Sequence, residues 1–111
     1  MRVLVCGGRD YRDRERMKQV LTELEISELI NGGARGADSL AIELAIEWMI
    51  PVQTYHADWK KHGPKAGPIR NEAMLVHGKP DLVVAFPGGR GTADMLRRAR
   101  AAGVKVLEVK P

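Results

Sequence analysis

With 111 residues, 44% of them hydrophobic, the chain can enclose one core but not two, so it reads as a single domain over residues 1–111. A single cysteine, Cys6, rules out an internal disulfide framework, and no apolar run reaches the roughly 18 residues of a membrane span. The net charge of +4 favours anionic partners, but the basic residues are spread from Arg2 to Lys110, and runs such as Arg12/Arg14/Arg16 and Arg97/Arg98/Arg100 suit solvated helix faces.

Residues 2–6 (RVLVC) form a short apolar run that stops at Gly7-Gly8, as a buried strand does. From about Arg12 to Glu25, Met17, Val20, Leu21 and Leu24 recur at helical spacing with charges opposite them. ELIN (28–31) reads as a second strand, broken by Gly32-Gly33. A second helix follows from Ala37 to about Met49, on which Leu40, Leu44 and Trp48, widened by Ala41, Ala45 and Ile46, form a largely buried face. Pro51 ends it and VQTY begins a third strand. Residues 57–68 (ADWKKHGPKAGP) read as a long loop, a feature that in compact domains usually serves function. Arg70–His77 suits a third helix, Asp81–Phe86 a fourth strand, Ala93–Ala102 a fourth helix and VKVLEV a fifth strand. Such alternation predicts an α/β fold: a single Rossmann-like domain with a parallel five-stranded sheet and helices on both faces.

Three strand-to-helix junctions are glycine-rich: CGGRDY, NGGARGAD and FPGGRGTAD. In an open parallel sheet they face the same edge, where ligands bind at the switch in strand order. Helix N-termini offer unpaired N–H groups to phosphate, and glycine lets the backbone come close. The candidate ligand contacts are therefore Gly7, Gly8 and Arg9 in the first turn, and Gly33, Ala34, Arg35, Gly36 and Asp38 in the second. The third turn adds Pro87, Gly88, Gly89, Arg90, Gly91 and Thr92, with Thr92 able to cap the next helix. Arg9 could grip a phosphate in bidentate fashion while Asp10 caps the first helix. No GxxxxGK[ST] and no GxGxxG occurs, which argues against ordinary ATPase and nicotinamide chemistry.

Trp59 interrupts a polar stretch with Lys60, Lys61 and His62, so it stacks on a base or else covers an apolar patch or a subunit contact. Arg70 and Asn71 together suit phosphate and sugar hydroxyls, or else a salt bridge to Glu72. His56, His62 and His77 lack metal-ligand spacing, and neither a metal nor an organic cofactor is expected. Cys6, at a strand end, reads as a buried small hydrophobe.

At VCGGRDY, GGARGADSLA, ADW with AGPIRNEAM, and DLVVAFPGGRGT, the chain resembles the SLOG superfamily, named for Smf/DprA and Lonely Guy proteins. The likeness is greatest to the small YspA-type, cpYpsA-related branch, and it extends over nearly the whole length. The resemblance implies a Rossmann-like fold with a nucleotide-derived ligand under the glycine turns, in a superfamily proposed to sense, process or generate nucleotide signals. Lonely Guy enzymes split the N-glycosidic bond of cytokinin riboside monophosphates with the signature PGGxGTxxE and an arginine from the preceding helix. Pro87, Gly88, Gly89, Gly91 and Thr92 match that signature, and Arg70 stands where the arginine motif should be.

The position of the catalytic Glu, however, holds Met95. Methionine can neither stabilise an oxocarbenium ion nor help deliver water. Asp94 lies one residue earlier, about 100° around the helix, and equally suits a first-turn carboxylate that favours the helix dipole. Glu72 could supply a carboxylate near Arg70. Arg70, Asp94 and Glu72 are thus the catalytic candidates should the chain be a hydrolase. The expected order is a nucleotide-ligand binding module first, a nucleoside-monophosphate N-glycosidase second, and single-stranded nucleic-acid binding, as in DprA, third. The expected setting is cytoplasmic, off the membrane and in a homodimer or higher homo-oligomer.

Overall fold

The computed structural model describes all residues, Met1–Pro111. Five short strands, β1 (Arg2–Cys6), β2 (Glu28–Asn31), β3 (Val52–Thr54), β4 (Leu82–Ala85) and β5 (Lys105–Glu108), pair entirely in parallel in the order β3-β2-β1-β4-β5. The connections from one strand to the next carry helices α1 (Arg14–Thr22), α2 (Ala37–Glu47), α4 (Ala66–Gly78) and α5 (Arg90–Ala101), with a four-residue helix α3 (Trp59–His62) ahead of α4. The α/β Rossmann-like fold with its five-stranded parallel sheet is therefore as read from the sequence.

Alternation along the strands divides the core in two. Val3 and Val5 of β1, Leu29 of β2 and Val84 of β4 join Met17, Leu21, Ala41 and Leu44 under α1 and α2. Their neighbours Leu4, Cys6, Ile30, Val83 and Ala85 point to the other face and meet Met74, Leu75, Met95, Leu96 and Ala99 of α4 and α5. A strand buried on both faces has little room for polar side chains, which is why residues 3–6 and Leu82–Ala85 read as unbroken apolar runs. The edge strands differ: β3 has three residues, and Lys105, Leu107 and Glu108 of β5 are exposed.

Several boundaries differ from the sequence reading, each for a physical reason. The stretch 57–68 is not a loop. Asp58 accepts a hydrogen bond from the Lys61 N–H at 3.1 Å and caps α3, a 3₁₀ turn spans Gly63–Lys65, and α4 begins at Ala66. Pro68 sits in the first turn of α4, where its missing N–H would have had no partner. Similarly α5 starts at Arg90, inside the glycine turn. Asp13, not Asp10, caps α1, its carboxylate accepting from the Arg16 N–H at 3.0 Å. At the end of α2, Trp48 is half-buried against the core, whereas Ile46 is exposed, because at about 100° per residue it points roughly opposite to Leu44 and away from the sheet.

β1 and β4 are central neighbours whose chains leave in opposite directions, to α1 on one face and α5 on the other, which puts the switch point between their C-terminal ends. There the turns interlock through backbone. The Gly8 N–H donates to the Pro87 carbonyl at 2.9 Å, and the Gly8 carbonyl accepts from the N–H groups of Tyr11 (3.2 Å) and Ala37 (3.1 Å). Gly36 has φ 81°, and a side chain there would run into the carbonyls of Gly8 and Arg9. Gly36→Ala is expected to destabilise the fold by more than about 2 kcal/mol, combining left-handed strain with a clash against main chain that cannot yield. Urea denaturation would read this as a lowered midpoint.

Candidate functional site

The three glycine turns open onto one cleft of about 940 Å³ at the C-terminal edge of the sheet. Of the residues singled out from the sequence, Gly7, Gly8, Arg9, Ala34, Asp38, Trp59, Arg70, Asn71, the whole run Pro87–Thr92 and Asp94 line it. Gly33 and Arg35 line a smaller neighbouring pocket, and Gly36 packs beneath the first turn. Glu72 lies on the outer side of α4, where it receives Arg98 at 2.8 Å, and does not line the main cleft. Met95 is buried among Leu4, Cys6 and Ile30, so the position that carries the Lonely Guy Glu faces the core here.

The start of α5 forms one wall. Gly89 occupies the N-cap with no side chain to offer, so the Arg90, Gly91 and Thr92 N–H groups find no acceptor within the protein. Thr92 stands in the first turn and does not cap the helix as its sequence position suggests. It is only 9% exposed, makes no side-chain hydrogen bond, and its hydroxyl lies against Gly88, where any Cβ would overlap it. Gly88 therefore stays bare so that the Thr92 hydroxyl can reach the cleft.

The second wall is a polar chain from β2 to α5. Arg70 donates through Nη1 to the Gly32 carbonyl at 2.6 Å and through Nε to the Asn71 carbonyl oxygen at 3.0 Å. The Asn71 amide donates in turn to the Gly91 carbonyl at 3.2 Å and to Asp94 at 2.9 Å. Arg98 reaches the same Asp94 oxygen at 2.9 Å, and Arg97 the other at 3.3 Å. Burial works against the Asp94 charge, but the hydrogen bonds from Asn71 and Arg98 and the charges of Arg98 and Arg97 outweigh it and hold its pKa below the usual carboxylate value. Burial also weakens the hold of Arg70 on its proton, Asp38 offsetting part of that and Arg9 adding to it.

Asp38 is the clamp of the second turn. One carboxylate oxygen accepts from the Gly32 and Ala34 N–H groups, each at 3.1 Å, while desolvation pushes its pKa up. Asn31 was missed in the sequence. Fully buried at the end of β2, it accepts from the Gly33 N–H at 2.8 Å and donates to the Thr54 hydroxyl at 3.1 Å, fixing that turn to β3. An Asn before a Gly pair is the signal that could have revealed it. Trp59 is half-exposed, with the Arg9 guanidinium 5.6 Å from its ring centre and its edge over Gly67, where a Cβ would sit 3.3 Å away. Cys6 also lines the cleft, but burial first and Asp38 second push its thiol up to about 12, which makes it a poor nucleophile. No group of three or more His, Cys, Asp and Glu side chains is arranged to hold a metal, and no helix is long and apolar enough to cross a membrane.

A parallel α/β sheet with a glycine-built cleft at its switch point defines a Rossmann-like domain. Residues 1–62 match the YspA, cpYpsA-related SLOG family, and the chain belongs to that family. It is also 38% identical to the Gene 61 protein of Mycobacterium phage D29, over 96% of this chain and 94% of the phage protein. Membership suggests nucleotide-related ligands at a coarse level.

Because the Asp94 pKa is depressed in the folded chain, its contribution to stability is present above the unfolded carboxylate value and is lost as pH falls through the folded one. Asp94→Asn should therefore lower stability by about 1–2 kcal/mol at pH 7, and the deficit should shrink below about pH 4. Paired denaturation curves across that range check it.

Proposed function

We propose that the cleft binds a phosphorylated, nucleotide-derived ligand, with the phosphate at the start of α5, and that the protein acts as a binding or sensing module. The observation that carries this reading is the set of unsatisfied donors in one concave place: three free N–H groups of α5 and the Thr92 hydroxyl, which has no hydrogen-bond partner in the protein. Such donors at a helix N-terminus suit a phosphate dianion. Arg90, which pairs with no carboxylate, adds mobile positive charge at the same turn. The exposed face of Trp59 offers a stacking surface for a base.

The residues argue against a glycosidase of the Lonely Guy kind. Asp94 already accepts bonds from Asn71, Arg97 and Arg98 on its two oxygens and is held ionised, so it is poorly placed to hand on a proton. Met95 lies in the core, and Glu72 faces away from the cleft.

The test is equilibrium titration of the protein with nucleoside 5′-monophosphates and the parent nucleosides, with chromatography of each mixture afterwards. At least one monophosphate is expected to bind and be recovered intact, its nucleoside binding at least about tenfold more weakly, and Thr92→Val should lower the monophosphate affinity by about fivefold or more. Equal binding of nucleoside and nucleotide would overturn the phosphate assignment. Release of free base and ribose phosphate would make the protein a hydrolase.

A further inference from the structure

Between the β2 turn and the segment that follows β3 lies a second pocket of about 390 Å³, which shares the wall made by Arg9, Trp59 and Arg70 with the main cleft. Three guanidinium side chains, Arg9, Arg35 and Arg70, and the His56 imidazole line it, and no carboxylate does. The main cleft, by contrast, mixes its arginines with Asp10, Asp38 and Asp94.

This pocket depends on two adjacent glycines. A Cβ on Gly33, whose φ is 68°, would stand 2.7 Å from the His56 ring, and one on Gly32 would collide with the Arg70 guanidinium. Their bareness lets an imidazole and a guanidinium close on the same loop from two sides. The cations are also available. Arg9 has no carboxylate partner, Arg70 keeps Nη2 free of hydrogen bonds, and Arg35 meets only Asp10 at 3.5 Å, with both side chains largely in water, where such a pair contributes little. Concave walls that carry one sign of charge concentrate counter-ions, and guanidinium groups match the oxygens of a phosphate.

We infer that this pocket is a second anion subsite, and that the cleft takes a nucleotide carrying two separate phosphate groups, one at the start of α5 and the other among Arg9, Arg35 and His56. The base or sugar between them lies against Trp59 at the shared wall. The inference rests on the main cleft being a nucleotide site, and the two readings fail differently. A 5′-monophosphate fills the main cleft alone.

Calorimetric titration with the 5′-monophosphates of adenosine and guanosine, and with their 3′,5′- and 2′,5′-bisphosphates, separates them. For at least one base a bisphosphate is expected to bind about tenfold or more tightly than its monophosphate. In the double variant Arg35→Ala/His56→Ala, both positions being exposed and its folding checked by thermal melting, that ratio should fall towards one. A ratio near one in the unaltered protein, or a ratio the double variant leaves unchanged, overturns the second subsite while leaving the first intact. Failure of every probe to bind overturns both readings.

Discussion

The peptide of Gly8 joins the parts of this molecule that matter for its site. Its N–H is held by Pro87 at the end of β4, and its carbonyl takes the N–H groups of Tyr11, before α1, and Ala37, at the start of α2. Such convergence is possible only where side chains are missing. A Cβ on Gly8 would meet the Pro87 carbonyl oxygen at 2.9 Å, one on Gly7 the Ala37 side chain at 2.6 Å, and one on Gly88 the Thr92 hydroxyl. The glycines of the first and third turns thus make two strand ends and two helix starts approach closely enough to leave a concave edge lined by main-chain donors.

Charge is distributed unevenly around that edge. On the α4/α5 side, Asp94 and Glu72 gather Arg97, Arg98 and the Asn71 amide into a closed network whose members mostly neutralise one another. On the β2/β3 side, the guanidinium groups of Arg9, Arg35 and Arg70 have fewer counter-charges, and their nearest rigid neighbours are glycine backbone and the Trp59 ring. One half of the cleft is a braced wall and the other carries positive charge with few counter-charges.

Much of this was legible in the residues. Residues 3–6 and Leu82–Ala85 in the two central strands are uninterrupted apolar runs because helices cover both faces of the sheet, and each glycine turn falls where a strand gives way to a helix, so the fold and the common edge could be read directly. The start of α4 was not legible, because Pro64, Gly67 and Pro68 carry the composition of a loop while the chain uses prolines in first turns, where no N–H is needed. The same holds for α5, whose first turn contains Gly91. Side-chain roles set by distant partners were equally hidden. That Arg70 reaches Gly32 across the sheet edge and that Glu72 turns outward to Arg98 depend on contacts between residues as many as 38 positions apart.

A cleft lined largely by peptide groups has its own genetics. Peptide donors at the head of α5 are supplied by any residue except proline, so replacing Arg90 or Gly91 with alanine leaves the N–H of that position in place. Alanine scanning would therefore miss the peptide donors themselves, while changes that add bulk at Gly8, Gly36 or Gly88 would register as folding defects instead of binding defects. Redesign for a different ligand has its practical handles in the few side chains that project over the main-chain floor, Arg9, Trp59 and Arg90, since these can be exchanged without moving the turns beneath them.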